Sequence, residues 1–115
     1  MSKIQGLRSN MEFKRVYSKG KTYWNRNLVL YVKKNELGHN RVGYSITKKV
    51  GNSVVRNKIR RRMKEIYRLN FHKLKGDYDI IIIPKKNVVN ISYRELESAM
   101  LHILQLAGIL EKKSD

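Results

Sequence analysis

The sequence predicts a single-domain α+β protein, an α/β sandwich in which helices cover a small sheet. Its 115 residues are enough for one core, since a chain of this length buries roughly two-thirds of its unfolded surface. Apolar residues recur at helical spacing in three segments, and three others carry the β-branched runs or alternation of strands. In chain order the elements are α-β-β-(β)-α-β-α. Neither a repeat nor a linker interrupts residues 1–115, so we expect one domain.

The first helix is predicted over residues 10–19. Ser9 and Glu12 have the spacing of a capping box, in which the hydroxyl and the carboxylate each accept a hydrogen bond from a free amide at the helix start. Gly20 is a typical residue at a helix end. The apolar positions, at i, i+3, i+4 spacing, are Phe13, Val16 and Tyr17.

Two strands follow, and they are predicted to pair as an antiparallel hairpin. Residues 28–32 are apolar and partly β-branched, and residues 41–46 alternate apolar side chains with polar or small ones. Gly38 and Asn40 supply turn residues between the two segments. Tyr23 begins another short strand ahead of them.

A long basic helix is predicted next, capped by Asn52 or Ser53 and running to about Leu74, before Gly76. A helix turns about 100° per residue, so one quarter of its circumference collects four apolar side chains. These are Val55, Ile59, Met63 and Ile66.

The other side of this helix is strongly cationic, with seven basic residues in the thirteen positions 56–68. Glu65 is the one acid there, so salt bridges along the helix cannot neutralise the face. Lys48 and Lys49 come just before the helix and extend the patch. We call the following residues the cationic ridge: Arg56, Asn57, Lys58, Arg60, Arg61, Lys64 and Arg68.

A central strand and a last helix complete the predicted fold. Residues 78–83 are mostly apolar on both faces, which is typical of a strand covered on both sides, and Pro84 stops it. Ser92 and Glu95 form a second capping box. The apolar stripe of the last helix is Leu96, Ala99, Met100, Ile103, Leu104 and Ala107.

The charge balance favours a nucleic-acid partner. Lys and Arg outnumber Asp and Glu by 26 to 9, and a net charge of +17 destabilises a compact chain unless an anion binds it. The chain has no cysteine, which suits a reducing compartment. No signal peptide is visible, and the longest apolar run, residues 80–83, is too short to cross a bilayer. We therefore expect a soluble cytoplasmic protein without a membrane partner.

The sequence offers no self-contained active site, so no catalytic residue is assigned. Asp77 and Asp79 are the closest pair of acids and could hold Mg²⁺, although a strand entry with solvated carboxylates explains them better. His39, His72 and His102 share no metal-ligand spacing. No phosphate-binding glycine loop precedes a helix. Metal positions on the protein are left unassigned.

Three aromatic side chains are candidates for a groove that binds single strands. Phe13 and Tyr17 lie one turn apart on the first helix, and Tyr31 lies on a strand that this helix could cover. Rings among cations offer unstacked bases a surface. The alternative is that Phe13 and Tyr17 only dock the helix on the sheet, and spacing alone leaves both interpretations open.

Residues 48–61, KKVGNSVVRNKIRR, resemble the signature of the bacterial ribonuclease P protein subunit, with its Arg-Asn…Arg motif on a long helix. Residues 45–49 match the lead-in, and the likeness extends over most of the chain in the same order, to residues 10–17, 25–31 and 78–84. Two positions depart from the pattern. Ser53 stands where the family usually has Ala, and Lys64 where it often has Arg, which costs bidentate geometry.

The resemblance implies a left-handed β-α-β crossover and a protein component of a ribonucleoprotein endoribonuclease. The RNA subunit would hold the catalytic Mg²⁺ and cleave precursor tRNA, while the protein binds this RNA and the 5′ leader. The resemblance assigns the leader to a cleft lined by Phe13, Tyr17 and Tyr31. It assigns the catalytic RNA to Arg56, Asn57, Arg60, Arg61 and Lys64.

Other classes of function stay open at this point. A ribosomal or general RNA-binding protein would use the same basic helix without a role in cleavage. A protein-only nuclease would need Asp77 and Asp79. A membrane-surface protein fits worst, because Trp24 is the single Trp and the basic helix carries an ordinary core stripe.

Overall fold

The computed structural model describes residues 4–111, which form one five-stranded sheet with helices on both faces. The α+β class is confirmed, and the order begins with a two-residue strand too short to predict. The elements are β1 (Gln5–Gly6), α1 (Asn10–Lys19), β2 (Lys21–Trp24), β3 (Leu28–Lys34), β4 (Arg41–Tyr44), α2 (Ser53–Asn70), β5 (Tyr78–Pro84) and α3 (Tyr93–Leu106). Short 3-10 turns follow α2 and β5, at Phe71–Lys73 and Lys86–Asn90.

The predicted hairpin between β3 and β4 is wrong. The strand order is β1-β4-β5-β3-β2, so β5 lies between them, antiparallel to β3 and parallel to β4. The physical reason is burial. Ile80, Ile81 and Ile82 have no exposed surface, and a strand is buried in this way at the centre of the sheet, where helices cover both of its faces. The strand expected at Tyr23 is confirmed as β2, which pairs antiparallel with β3.

The two faces of the sheet carry separate clusters of buried side chains. On one face, α2 and α3 pack against alternate residues of β3, β4 and β5, and the predicted stripes of both helices point inward. On the other face, α1 places Val16 over Ile81, beside Leu7. Because side chains alternate along a strand, β5 contributes to both clusters.

The start of α1 is the predicted capping box. Ser9 Oγ accepts a hydrogen bond from the Glu12 amide at 3.1 Å, and Glu12 Oε1 accepts one from the Ser9 amide at 3.1 Å. The helix ends at Gly20, where a Cβ atom would lie 2.5 Å from the Val16 carbonyl oxygen. Glycine is therefore required for the close approach of the chain to its own helix and to β3.

The long basic helix is confirmed, but α2 ends at Asn70 rather than near Leu74. Asn52 caps it, since Oδ1 accepts a hydrogen bond from the Val55 amide at 3.0 Å. At the other end the chain tightens into a 3-10 turn, and the buried Asn70 side chain donates to the Ile66 carbonyl at 2.8 Å.

The crossover β4–α2–β5 joins parallel neighbours. Its left-handed sense stays a prediction. Over residues 4–111, no helix combines the length and apolarity needed to cross a membrane.

Candidate nucleic-acid interface

The cationic ridge forms the solvent side of α2. Ile59, Met63 and Ile66 are buried beneath it, which fixes the rotation of the helix. With about 1.5 Å of rise per residue, the positions from Arg56 to Arg68 extend over about 18 Å. Five members of the ridge are exposed, and Arg56 and Arg60 are half-buried. The exposed ones are Asn57, Lys58, Arg61, Lys64 and Arg68.

Acids neutralise only one end of the ridge. Arg68 Nη2 lies 2.7 Å from Glu65 Oε1, both side chains are about half exposed, and the hydrogen bond from Arg68 lowers the pKa of Glu65. Among the described residues, no acid forms a salt bridge with the other cations of the ridge. The field of this face is therefore strongly positive, which attracts phosphates.

The N-terminal end of the ridge is held by the turn before α2. Arg56 Nε donates a hydrogen bond to the Gly51 carbonyl at 3.2 Å, which directs the guanidinium back over the turn. Lys48 and Lys49 are exposed in this turn, between Ile46 and Val50, which are both buried. The structure therefore places both lysines next to the start of α2, as the sequence predicted.

Phe13 and Tyr17 of α1 lie over one row of the sheet, and Tyr31 of β3 is part of that row. Gly43 and Tyr31 are both register partners of Ile81, so these three positions cross the sheet in line. Phe13 lies directly on Gly43, where a Cβ atom would come within 2.5 Å of Phe13 Cζ. Tyr17 packs edge-on against Tyr31, with ring centroids 4.9 Å apart.

These rings both dock the helix and keep exposed surface. Phe13 and Tyr31 are half-buried, and Tyr17 is 38% exposed. The two interpretations of the aromatic spacing are therefore compatible, because the buried edges fix α1 and the remaining surface faces solvent. We call the surface formed by Phe13, Tyr17 and Tyr31 the aromatic groove.

An ion-pair network around the buried Asp79 fixes α1 to the sheet, and sequence reasoning missed it. Arg41 binds Asp79 through two hydrogen bonds, of 2.8 and 2.7 Å, and reaches Glu12 of the capping box at 2.6 Å. The side chain of Asn35 donates a third hydrogen bond to Asp79, at 2.8 Å. This Arg41 clamp (Glu12, Asn35, Arg41 and Asp79) ties the start of α1 to β4 and β5.

The prediction of solvated carboxylates at residues 77 and 79 is wrong for Asp79, which is 2% exposed. Burial by itself would raise its pKa, but the hydrogen bonds from Arg41 and Asn35 outweigh this effect, and the pKa of Asp79 is lowered. Asp77 is only half-buried and has a left-handed backbone, with φ of 75°. The three histidines are exposed, and residues 4–111 contain no group of three His, Cys, Asp or Glu side chains that could hold a metal.

These features define a class: a small basic α+β domain with a cationic helix on one face of its sheet and an aromatic groove on the other. The sequence model of the family described as Ribonuclease P matches residues 1–108. A ribonuclease P protein component of Finegoldia magna is 49% identical over 108 residues, covering 94% of this chain and 95% of the relative. One of Clostridium botulinum, strain 657, is 49% identical over 104 residues, covering 90% and 94%.

Solved structures agree with the sequence relatives. The RNase P protein of Staphylococcus aureus superposes with a TM-score of 0.87 at 32% identity, over 95% of this chain and all of that one. The protein of Thermotoga maritima gives a TM-score of 0.82 at 26% identity, over 89% and 96%. The chain belongs to the ribonuclease P protein family. The resemblance predicted from residues 48–61 is thereby confirmed.

Proposed function

We propose that this chain is the protein subunit of ribonuclease P and assists a catalytic RNA in removing the 5′ leader from precursor tRNA. The observation that carries the proposal is the cationic ridge on α2, which acids neutralise only at its Arg68 end, together with membership of the family. In this proposal the ridge, with Lys48 and Lys49, binds the catalytic RNA, and the aromatic groove binds the leader. The site of action is the cytoplasm, where the tRNA precursors are.

The ridge would act electrostatically. RNA bound by Lys and Arg releases its condensed counterions, and the same cations screen the repulsion between the catalytic RNA and its substrate. Arg56 and Arg61 offer planar guanidinium groups that bind phosphate bidentately, whereas Lys64 offers a point charge. The amide of Asn57 supplies hydrogen bonds within the same face. The expected result is tight RNA binding and a lower Mg²⁺ requirement.

The groove would select precursor over product. A leader is single-stranded, and its bases can stack on the exposed surfaces of Tyr17 and Tyr31. Mature tRNA lacks this segment and so gains nothing from the groove. Phe13 would line the end of the groove nearest β4, where Gly43 leaves room for its ring.

The chemistry itself is assigned to the RNA subunit and its Mg²⁺. The described residues do not fit a resident Mg²⁺ site, since the carboxylate of Asp79 already accepts hydrogen bonds from Arg41 and Asn35. Asp77 alone supplies too few oxygen ligands. The chain therefore contributes binding and orientation within the endoribonuclease, and no bond-breaking group of its own.

The decisive experiment is cleavage of precursor tRNA by a bacterial ribonuclease P RNA, with and without the chain, across a Mg²⁺ titration. We expect strong stimulation at low Mg²⁺ and little at high Mg²⁺. Binding of precursor and mature tRNA to the assembled complex is the control, because a general RNA-binding protein would not favour the precursor. Absence of stimulation at low Mg²⁺ would refute the proposed function.

A further inference from the structure

A cavity of about 430 Å³ opens at the sheet edge formed by β1 and β4, between this edge and α2. Its volume lies in the range of about 300–1,000 Å³ that is common for ligand sites. Part of its lining is apolar and aromatic, which we call the aromatic side, and part is cationic. The aromatic side comprises Leu7, Phe13, Val42, Tyr44 and, from α2, Tyr67, and the cationic wall, also on α2, consists of Arg60, Lys64 and Arg68.

The aromatic side offers ring surface together with two hydroxyl groups. Tyr67 is 3% exposed and Tyr44 is half-buried. Burial raises the pKa of Tyr67 to about 12 and that of Tyr44 well above its usual value, so both phenols stay neutral and keep their protons. Both hydroxyl groups therefore remain hydrogen-bond donors.

The cationic wall contains a donor without an acceptor. The Nε atom of Arg60 is buried and, in the part of the chain that the structure describes, has no hydrogen-bond partner. A buried donor left unsatisfied is unfavourable, so a shift of the Arg60 side chain toward a ligand oxygen would be favoured. Neither Arg60 nor Lys64 forms a salt bridge with any described acid, and Lys64 is also exposed on the ridge. Two unneutralised cations, one of which carries the unsatisfied guanidinium nitrogen, suit a phosphate.

We propose that this cavity receives one unpaired RNA nucleotide, with its base on the aromatic side and its phosphate on Arg60 and Lys64. A free anion would leave the aromatic side empty, and a base-paired nucleotide could not leave its helix to enter. The inference rests on the proposed function and adds to it a binding site for one unpaired nucleotide. The nucleotide can come from the catalytic RNA, which the ridge would bind, or from the leader, since Phe13 also belongs to the aromatic groove.

Tyr44→Leu tests the cavity, because it removes the ring and the hydroxyl while keeping the site apolar. The matched control is Tyr23→Leu, a half-buried strand tyrosine on the same sheet face and outside the cavity. Affinity is measured separately for a bacterial ribonuclease P RNA and for a single-stranded leader oligonucleotide. We expect Tyr44→Leu to weaken binding of one of these RNAs roughly fivefold or more, as loss of a base–aromatic contact does. The control should change binding less than twofold.

Equal affinities of the two variants for both RNAs would overturn the inference, provided that circular dichroism shows both folded. Crosslinking supplies a second measurement that does not depend on affinity. A photoreactive benzoylphenylalanine at position 44 should crosslink to one unpaired nucleotide in the assembled complex, and its location identifies the source. Crosslinks only to paired nucleotides, or a yield no higher than from position 23, would also overturn it.

The failure of this inference is distinguishable from failure of the proposed function. If the unmodified chain stimulates cleavage at low Mg²⁺ while the Tyr44 experiments are negative, the cavity proposal alone is wrong. If the unmodified chain gives no stimulation, the proposed function is wrong. Arg60→Gln would not separate the two proposals, because Arg60 lies both on the cationic ridge and in the cavity. The Tyr44 variants are therefore the ones that test the cavity.

Discussion

Replacing Arg41 with Met should destabilise the protein more than removal of any exposed arginine. The change leaves the carboxylate of Asp79, 2% exposed, with only Asn35 as a side-chain donor, and it releases Glu12 from the sheet. Breaking a buried ion pair by removing one partner typically costs about 3–5 kcal/mol. The Arg41 side chain is 16% exposed and Asn35 is retained, so we expect about 3 kcal/mol.

Urea and thermal unfolding measure this loss, which corresponds to a melting temperature about 10 °C lower for a domain of this size. Arg94→Met, which removes an exposed arginine of α3, is the control and should change stability by less than about 0.5 kcal/mol. The double variant Arg41→Met, Asp79→Leu should recover much of the loss, because it removes the buried charge as well.

The pH dependence provides a second signature. In the native protein the pKa of Asp79 is lowered, so its stabilising contribution is present above its unfolded pKa, about 3.9, and is lost as pH falls through the folded value. Without Arg41, burial dominates and raises the pKa of Asp79. Stability of the variant should then fall as pH rises from about 4, the opposite slope. A loss below about 1 kcal/mol, or no recovery in the double variant, would refute the clamp argument.

Three further predictions address the proposed RNA surfaces. Arg61→Ala should weaken binding to a ribonuclease P RNA and reduce the slope of log affinity against log salt by about 1; an unchanged salt titration would remove Arg61 from the contact surface. Tyr17→Ala should lower the preference for precursor over mature tRNA by about 1–2 kcal/mol in competitive binding, whereas equal losses for both RNAs would contradict a leader contact. Gly43→Ala should displace the Phe13 ring, whose Cζ lies 2.5 Å from the new methyl group, and cost about 1–3 kcal/mol in urea unfolding; unaltered stability would show that the ring relaxes freely.

What the sequence could predict is what local chemistry determines. The capping box of Ser9 and Glu12, the bounds of α1 and the rotation of α2 all follow from residues within a few positions of one another. Strand pairing is not local, and the hairpin prediction failed because β5, far along the chain, has the stronger requirement for burial on both faces. Charge pairing is not local either. Arg41 and Asp79 are 38 residues apart, and no pattern links them in the sequence.

The aromatic groove shows the same division. Its residues were identifiable from spacing and from the family signature, but their arrangement depends on Gly43, whose missing side chain makes room for Phe13. The signal was available, since a glycine within an alternating strand often marks a close approach of another group. What approaches it depends on the packing angle of α1. The Arg41 clamp helps to fix this angle from the same face of the sheet, two residues away along β4.

The sheet edge at β4 would allow so small a domain to bind both RNAs of the proposed function at once. The cationic ridge lies on α2, which covers one face of the sheet, and the aromatic groove lies on the opposite face under α1. Surfaces on opposite faces would normally be separated by the thickness of the sheet. Here only the two-residue strand β1 lies beyond β4 in the sheet, and Phe13, Arg60 and Lys64 line one cavity around that edge. A leader in the groove and a catalytic RNA on the ridge would therefore meet at this edge, which is why an unpaired nucleotide there would couple the two proposed binding events.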